Sequence, residues 1–318
     1  MRILITGGLG FQGSHLAARW LADGHDVHAL ATPTAHARAN LIALGDSDVV
    51  PVWGSVSDFE IVDKAASHVD TIVHLAAWSS VDASLDEPGR SFYLNAMGGY
   101  HVLEAARRHG CSVVMASTCE VYGSVQSLDE RQSETSVCVP ASPYAAGKLA
   151  GDRLAIAYYH AFKLPVTVLR PCNVFGPRQK LGAHGAVIPT FVAQALRKTC
   201  LTVRGDGEQS REWIYIDDLV SAYDCVLRAH AQRGGAVMGE VFNIGTRQSV
   251  SVLDIATECA EKIGGYITYV EARDGDVQRF ALDSAKFRSR FGWVPIVPFW
   301  FGFGLYVAWA ENERGRQS

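Results

Sequence analysis

The sequence predicts an α/β protein built on a doubly wound parallel sheet, and three observations lead there. Short strand-like runs near residues 2–6, 27–30, 49–53, 70–75, 112–116 and 165–169 alternate with helical stretches. The first run passes directly into a glycine-rich turn and then into a helical pattern. The residues best suited to chemistry fall just beyond the carboxyl ends of such runs, where sheets of this kind gather their ligands.

The first element, Arg2-Ile3-Leu4-Ile5-Thr6, reads as a short buried strand. Gly7-Gly8-Leu9-Gly10-Phe11-Gln12-Gly13 follows, and Leu16, Ala17, Trp20 and Leu21 then recur at helical spacing. Glycines at 8, 10 and 13 fit a dinucleotide fingerprint, and those at 7, 10 and 13 fit a variant with one residue more between the first two. In either register a pyrophosphate can approach bare backbone at a helix amino end, where N–H groups point outward. The apolar run Val113-Val114-Met115-Ala116 predicts a strand that delivers Thr118, within Ser117-Thr118-Cys119-Glu120-Val121-Tyr122-Gly123, to its carboxyl end. In Tyr144-Ala145-Ala146-Gly147-Lys148 the tyrosine and lysine share a helix face one turn apart. The ammonium is expected to favour the phenolate and lower the Tyr144 pKa from about 10. A tyrosine so placed can take a proton from a hydroxyl while hydride leaves the carbon that bears it. After about residue 175 the alternation loosens, with no internal repeat or low-complexity tract.

Composition agrees and excludes several classes. A chain of 318 residues, 48% hydrophobic, can bury a full core. A net charge of −4 without long basic runs argues against nucleic-acid binding. The 7 cysteines form no Cys-x-x-Cys pair and no metal-like cluster with histidine, so no metal is expected and a reducing cytoplasm is. No basic segment followed by an apolar h-region precedes the first strand, so no secretion signal is expected. Trp293 to Trp309 is uncharged and aromatic, but Pro295, Pro298, Gly302 and Gly304 interrupt it, and it is shorter than the ~20 apolar residues of a spanning helix. Core packing is expected there in preference to an oligomer contact or membrane contact.

These motifs do not stand alone. His74-Leu75-Ala76-Ala77, Asn95, Arg170-Pro171-Cys172-Asn173-Val174-Phe175-Gly176-Pro177, Gly205-Asp206-Gly207-Glu208-Gln209-Ser210-Arg211, Asp217-Asp218 and Phe242-Asn243-Ile244-Gly245 follow in order. With them the chain resembles, nearly end to end, the extended short-chain dehydrogenases/reductases of the nucleotide-sugar epimerase/dehydratase family. The resemblance implies a Rossmann-type domain from 1–174 plus about 212–245. A smaller nucleotide-sugar-binding lobe would comprise about 175–211 plus 246–318. It also implies an NAD(P) cofactor held by Gly7, Gly10, Phe11, Gln12, Gly13, Ser55, Val56, Leu75, Ala76 and Ala77, together with Tyr144 and Lys148. A homodimer formed through a four-helix contact is a further family expectation.

By resemblance the shared first step is oxidation of a sugar hydroxyl, usually at C4, with Tyr144 as base, Lys148 as its electrostatic support and Thr118 as a hydrogen-bond partner. A C4 ketone acidifies the C5 hydrogen. Dehydratases of the family typically read Thr-Asp-Glu, the Glu taking the C5 proton and the Asp protonating the departing C6 hydroxyl. Here Thr118-Cys119-Glu120 keeps the base and replaces the acid with a thiol. A cysteine, with an ordinary pKa near 8.5, is mostly protonated at neutral pH and can donate a proton; the alternative is a small buried hydrophobe. The phrase from Ser117 to Gly123 resembles in particular that of 5,6-dehydratases, and sequence does not separate 4,6- from 5,6-dehydration. The resemblance thus favours an NAD(P)-dependent nucleotide-sugar dehydratase, a lyase. UDP-glucuronate decarboxylation, 4-epimerisation and a non-catalytic NAD(P)-binding scaffold are the alternatives. Asn95, Asn173, Arg211 and Arg273 are the expected substrate contacts, guanidinium forks being suited to phosphate oxygens.

The pattern breaks at the second strand. NAD-dependent members usually place an Asp there on the adenosine ribose, and this chain has Ala31. Ser55 stands where the family's second carboxylate is expected, although Asp58 lies downstream. His36 or Arg38 could approach a 2′-phosphate, so NAD is the family expectation with NADP left open.

Overall fold

The computed structural model describes residues 1–45, 48–125, 130–182, 186–232, 235–272 and 278–317. Its strands are β1 (Arg2–Thr6), β2 (Asp26–Ala31), β3 (Val50–Trp53), β4 (Thr71–His74), β5 (Ser112–Ala116), β6 (Val166–Pro171), β7 (Asn173–Phe175), β8 (Cys200–Arg204), β9 (Ser210–Tyr215), β10 (Glu240–Ile244), β11 (Ser249–Ser251) and β12 (Tyr266–Val270).

Seven of them form one sheet in the order β10-β6-β5-β4-β1-β2-β3, every neighbouring pair parallel. Parallel strands buried on both faces read as continuous apolar runs. In β1, Ile3, Leu4 and Ile5 are all fully buried, Ile3 and Ile5 in the core on one face and Leu4 in the core on the other. The chain winds outward through β2 and β3, then returns past β1 to β4. That reversal opens a crevice at the carboxyl ends of β1 and β4.

Helix Phe11–Ala22 covers one face with Leu16, Ala17 and Trp20, and the Trp20 indole N–H donates to Asp224 of helix Ile216–Ala231 at 2.6 Å. Helices Gly98–His109 and Pro143–Phe162 cover the other, through Val102, Leu103, Ala106 and Ala155. Two small sheets stand apart, β11-β9-β7 and β12-β8. Glu212 of β9 is fully buried and accepts the backbone N–H groups of Arg247 (2.7 Å), between β10 and β11, and Leu282 (3.0 Å). Two charge-to-dipole bonds offset part of the desolvation of that carboxylate.

The aromatic stretch ending at Trp309 packs as core along one side of helix Phe299–Gln317. Phe299, Phe303, Tyr306 and Ala310 are buried, the Phe299 ring lying 5.2 Å from Phe175 and 6.3 Å from Trp213. Trp300, Phe301 and Leu305 remain exposed. Among the described residues no helix is long and apolar enough to cross a membrane.

Candidate active site

The glycine turn leaves β1 with Gly7 at φ +71°, a left-handed backbone that glycine adopts without strain, and its N–H donates to Leu30 O at 2.7 Å. A Cβ on Gly13 would lie 2.2 Å from Gly7 O, so the helix crosses the turn at a distance only glycine allows. Both ends of the 7-10-13 register are therefore fixed by geometry, while Gly8 packs on Ala29 of β2. Gly10 caps helix Phe11–Ala22 without a side-chain hydrogen bond, and the first turn holds no acid. The outward N–H groups and the positive helix end thus remain available, and Gly10, Phe11 and Gln12 face the crevice. These residues fit a dinucleotide pyrophosphate.

Beside this turn, Leu75 N donates to Thr6 O (3.0 Å) and Ala76 N to the Thr6 hydroxyl (3.3 Å), drawing the 75–77 segment against Gly7. Ser55 and Val56 lie behind the wall: the Ser55 hydroxyl shares a 2.8 Å hydrogen bond with Ser57, and Val56 is buried against Gly98. Asp58 caps helix Phe59–Ala66, its Oδ1 accepting from Glu60 N and Ile61 N. Ala31 is the last residue of β2, as expected.

At the end of β5, Thr118 is extended and its hydroxyl accepts the Glu120 N–H at 3.3 Å, opening the 3₁₀ turn Cys119–Tyr122. Tyr144 lies at the start of helix Pro143–Phe162, which begins cleanly because Ser142 accepts the Ala145 N–H at 3.2 Å and Pro143 needs no donor. The Thr118 hydroxyl also hydrogen-bonds Tyr144. Thr118, Glu120 and Tyr144 thus meet on one wall of the cleft.

Lys148, one turn along, is 6% exposed. Burial lowers its pKa to about 8, against the opposing charge of Asp152. The expected depression of Tyr144 is not found. Burial pushes its phenol above the usual value and the Glu120 charge adds to the rise, while the Thr118 hydrogen bond only partly opposes them. Burial of the phenol, with the Glu120 charge, sets the direction in the chain by itself.

Cys119 and Asn95 are placed differently from Glu120. Cys119 is 1% exposed and packs in the core, because the 3₁₀ turn directs consecutive side chains apart, 119 inward and 120 to the cleft. Burial and then the Glu120 charge push the thiol pKa up, so it stays protonated, and it touches the cleft only through a hydrogen bond to Thr118. Asn95, 3% exposed, accepts the Trp78 N–H (3.0 Å) and donates to Trp78 O (3.2 Å), clamping the loop that follows Ala77. The clamp consumes the amide expected to meet substrate. Asn173 and Arg211 do line the cleft; Asn173 donates to Glu212 O at 3.4 Å, and the Arg211 guanidinium lies 5.1 Å over the Phe280 ring. Arg273 lies outside the described residues.

Under the catalytic wall, Arg170 is fully buried and donates to Asp152 at 2.7 and 3.1 Å and to the Tyr122 hydroxyl at 2.6 Å; Tyr122 in turn donates to Asn243 at 2.8 Å. This network ties helix Pro143–Phe162 to β6 and β10.

The cleft encloses about 960 Å³ and carries residues the sequence reading missed. Ser79, Ser80 and Asp82 line it after β4, and Lys180, Gln194, Arg197, Thr202, Arg204 and Trp213 line it from the segments that follow β7. Among the described lining residues the basic side chains are His36, Lys180, Arg197, Arg204 and Arg211, against the carboxylates Asp82 and Glu120. A chain of net negative charge thus concentrates cations where two diphosphates would lie. The Trp213 Nε1 and Gln179 Oε1 atoms are buried without a protein partner, a sign that could have been found only from coordinates.

Comparison with known proteins agrees with this geometry. Residues 3–245 match the model of the NAD dependent epimerase/dehydratase family. The low-salt glycan biosynthesis protein Agl12 of Haloferax volcanii is 36% identical over 303 residues, covering 93% of this chain and 94% of the relative. A UDP-glucose 4-epimerase of Mycolicibacterium smegmatis is 34% identical, covering 98% of this chain and 99% of its own. Among solved structures, the dTDP-glucose 4,6-dehydratase DesIV of Streptomyces venezuelae, determined with NAD bound, superposes with a TM-score of 0.91 at 33% identity, covering 99% of this chain and 98% of that one.

Proposed function

The chain belongs to the NAD dependent epimerase/dehydratase family, and we propose that within it this protein is a nucleotide-sugar dehydratase, a lyase acting on a nucleoside-diphosphate hexose through a 4-keto intermediate. The observation that carries the reading is Glu120 on the cleft wall beside Thr118 and Tyr144. A 4-epimerase has no need of a second base there; a dehydratase does.

The residues divide the work as follows. A bound nicotinamide dinucleotide, NAD by the precedent of the relatives, supplies the hydride acceptor. Tyr144 takes the C4 hydroxyl proton, Thr118 orients that hydroxyl, and the buried Lys148 ammonium stabilises the phenolate as it forms. Asn173, Arg211 and Arg204 hold the diphosphate. Once C4 is a ketone, Glu120 removes the C5 proton and the C6 hydroxyl departs as water with one proton; return of the hydride to C6 would then give the 4,6 product and return to C4 the 5,6 product. Cys119 is the protonated thiol at hand, but its burial favours Glu120 as the donor, since the carboxylic acid formed by taking the C5 proton already faces the cleft.

We also propose a homodimer. Helices Gly98–His109 and Pro143–Phe162 lie side by side, joined by a 3.3 Å hydrogen bond from Tyr158 to Glu104, with Tyr100 and Phe162 exposed. The free state of all 7 cysteines suits a reducing cytoplasm.

The test is turnover of UDP-N-acetylglucosamine, UDP-glucose, UDP-glucuronate, dTDP-glucose and GDP-mannose in deuterated water, read by mass spectrometry and proton NMR. A product lighter by one water supports the reading, with alkene protons marking the 5,6 route and a C6 methyl the 4,6 route. Unchanged mass with inverted stereochemistry, or loss of carbon dioxide, overturns it.

A further inference from the structure

We propose that the adenosine end of the cofactor groove accepts a 2′-phosphate, with Arg38 and Lys180 as its cationic partners, so that the protein binds NADP as well as NAD. The inference rests on the reading that the groove holds a nicotinamide dinucleotide.

The end of β2 is where a carboxylate would hold the ribose hydroxyls of NAD and repel a phosphate. Ala31 occupies it, 8% exposed and unable to do either. Its register partner on β3 is Trp53, and the Arg38 guanidinium lies 5.1 Å over the Trp53 ring. A cation–π contact of this kind fixes an otherwise mobile side chain, here beside the position the acid has vacated. Arg38 itself is exposed on helix Ala35–Ala43, which Asn40 fastens to the glycine turn by a 2.9 Å hydrogen bond to Leu9 O. The arginine, Ala31 and the pyrophosphate turn are therefore held in one rigid relation.

A second cation comes from the other side. Lys180 follows β7 and lines the same cleft as His36, close enough that its charge lowers the His36 pKa after burial has done so. His36 sits 3.3 Å from Asn40 and adds a ring nitrogen to the same mouth. The carboxylates among the described lining residues, Asp82 and Glu120, follow β4 and β5, across β1 from this end of the sheet. A 2′-phosphate arriving beside Ala31 thus meets the Arg38 guanidinium, with the cleft's described lining carboxylates on the far side of β1.

The experiment measures which dinucleotide the purified protein releases on denaturation. It then measures dissociation constants of NAD, NADP, 5′-ADP and 2′,5′-ADP on the cofactor-stripped chain by calorimetry. The expected result is tighter binding of 2′,5′-ADP than of 5′-ADP. Arg38→Ala should weaken NADP roughly fivefold, the worth of a partly exposed ion pair, while leaving NAD within about twofold, and Lys180→Ala should weaken NADP more than it weakens NAD. Ala31→Asp should weaken NADP by about tenfold or more through repulsion. NAD binding with 2′,5′-ADP no tighter than 5′-ADP, or equal losses for both dinucleotides in the two cation variants, would overturn the inference alone. Binding of neither dinucleotide would instead overturn the cofactor reading beneath it.

Discussion

Asp152 gives both carboxylate oxygens to Arg170, at 2.7 and 3.1 Å, one helical turn beyond Lys148. The pair is fully buried, so neither partner can be removed without leaving the other uncompensated. Asp152→Asn should lower stability by about 3 kcal/mol, read by denaturant unfolding. It should also move the pH dependence. The Asp152 charge raises the Lys148 pKa against burial, which holds it at about 8. Dinucleotide affinity is expected to fall as pH rises through that value, and the midpoint should shift lower in the variant. An unchanged midpoint would mean that Lys148 does not sense Asp152.

Tyr144 and Glu120 should separate into two steps. Tyr144→Phe is expected to reduce C4 oxidation by about 10²–10⁴-fold, since no other group beside Thr118 takes the hydroxyl proton. Glu120→Gln should still oxidise C4 yet fail to exchange the C5 hydrogen with deuterated solvent. Exchange at the parent rate would remove Glu120 from the role of base.

Cys119 offers the sharpest contrast between the two proton donors. If Glu120 is the donor, Cys119→Ser leaves elimination within about threefold of the parent and lowers stability by roughly 1 kcal/mol, through placing a hydroxyl in an apolar site. Abolished elimination with intact C5 exchange would return the acid role to the thiol. Rates and melting temperature measured on the same preparation decide the matter.

Gly13→Ala brings a Cβ to 2.2 Å from the Gly7 carbonyl oxygen, and Gly10→Ala to 3.1 Å from the same atom. The first should cost about 2–3 kcal/mol of stability and abolish dinucleotide binding by calorimetry; the second should be much milder.

Three histidines make the fold acid-sensitive. Burial, the largest influence on each, lowers His15 to about 4, His74 to about 3 and His230 to about 4, from 6.5. Each stays neutral in the fold while its unfolded counterpart protonates, so their contribution is complete above 6.5 and drains away as pH falls toward 4. The melting temperature should drop by at least about 5 °C over that window. A flat profile would contradict the burial of these rings.

The sheet was legible because two-sided burial writes itself as apolar runs, and the glycine turn because no other residue satisfies its φ at Gly7 or its crossing at Gly13. Tyr144 and Lys148 could be read from spacing on a helix and Thr118 from a strand end, whereas Glu120 was singled out by the family resemblance. What escaped depends on direction and burial. Nothing in the letters around Asn95 says that its amide turns inward to the Trp78 backbone, or that a 3₁₀ turn sends Cys119 into the core while Glu120 stays out. The acidity of Tyr144 was misjudged because desolvation leaves no trace in a four-residue spacing. Lys180, Arg197 and Arg204 were missed because that wall of the cleft is assembled from segments distant in sequence without a motif.

Glu212 sits between the cleft residues Arg211 and Trp213, and its carboxylate grips the backbone beyond β10 and at Leu282. That grip fastens the β9 wall of the cleft to two segments remote from it in sequence, so a change at Arg247 or Leu282, neither of which lines the cleft, would be felt by Arg211 and Trp213 on either side of the anchor.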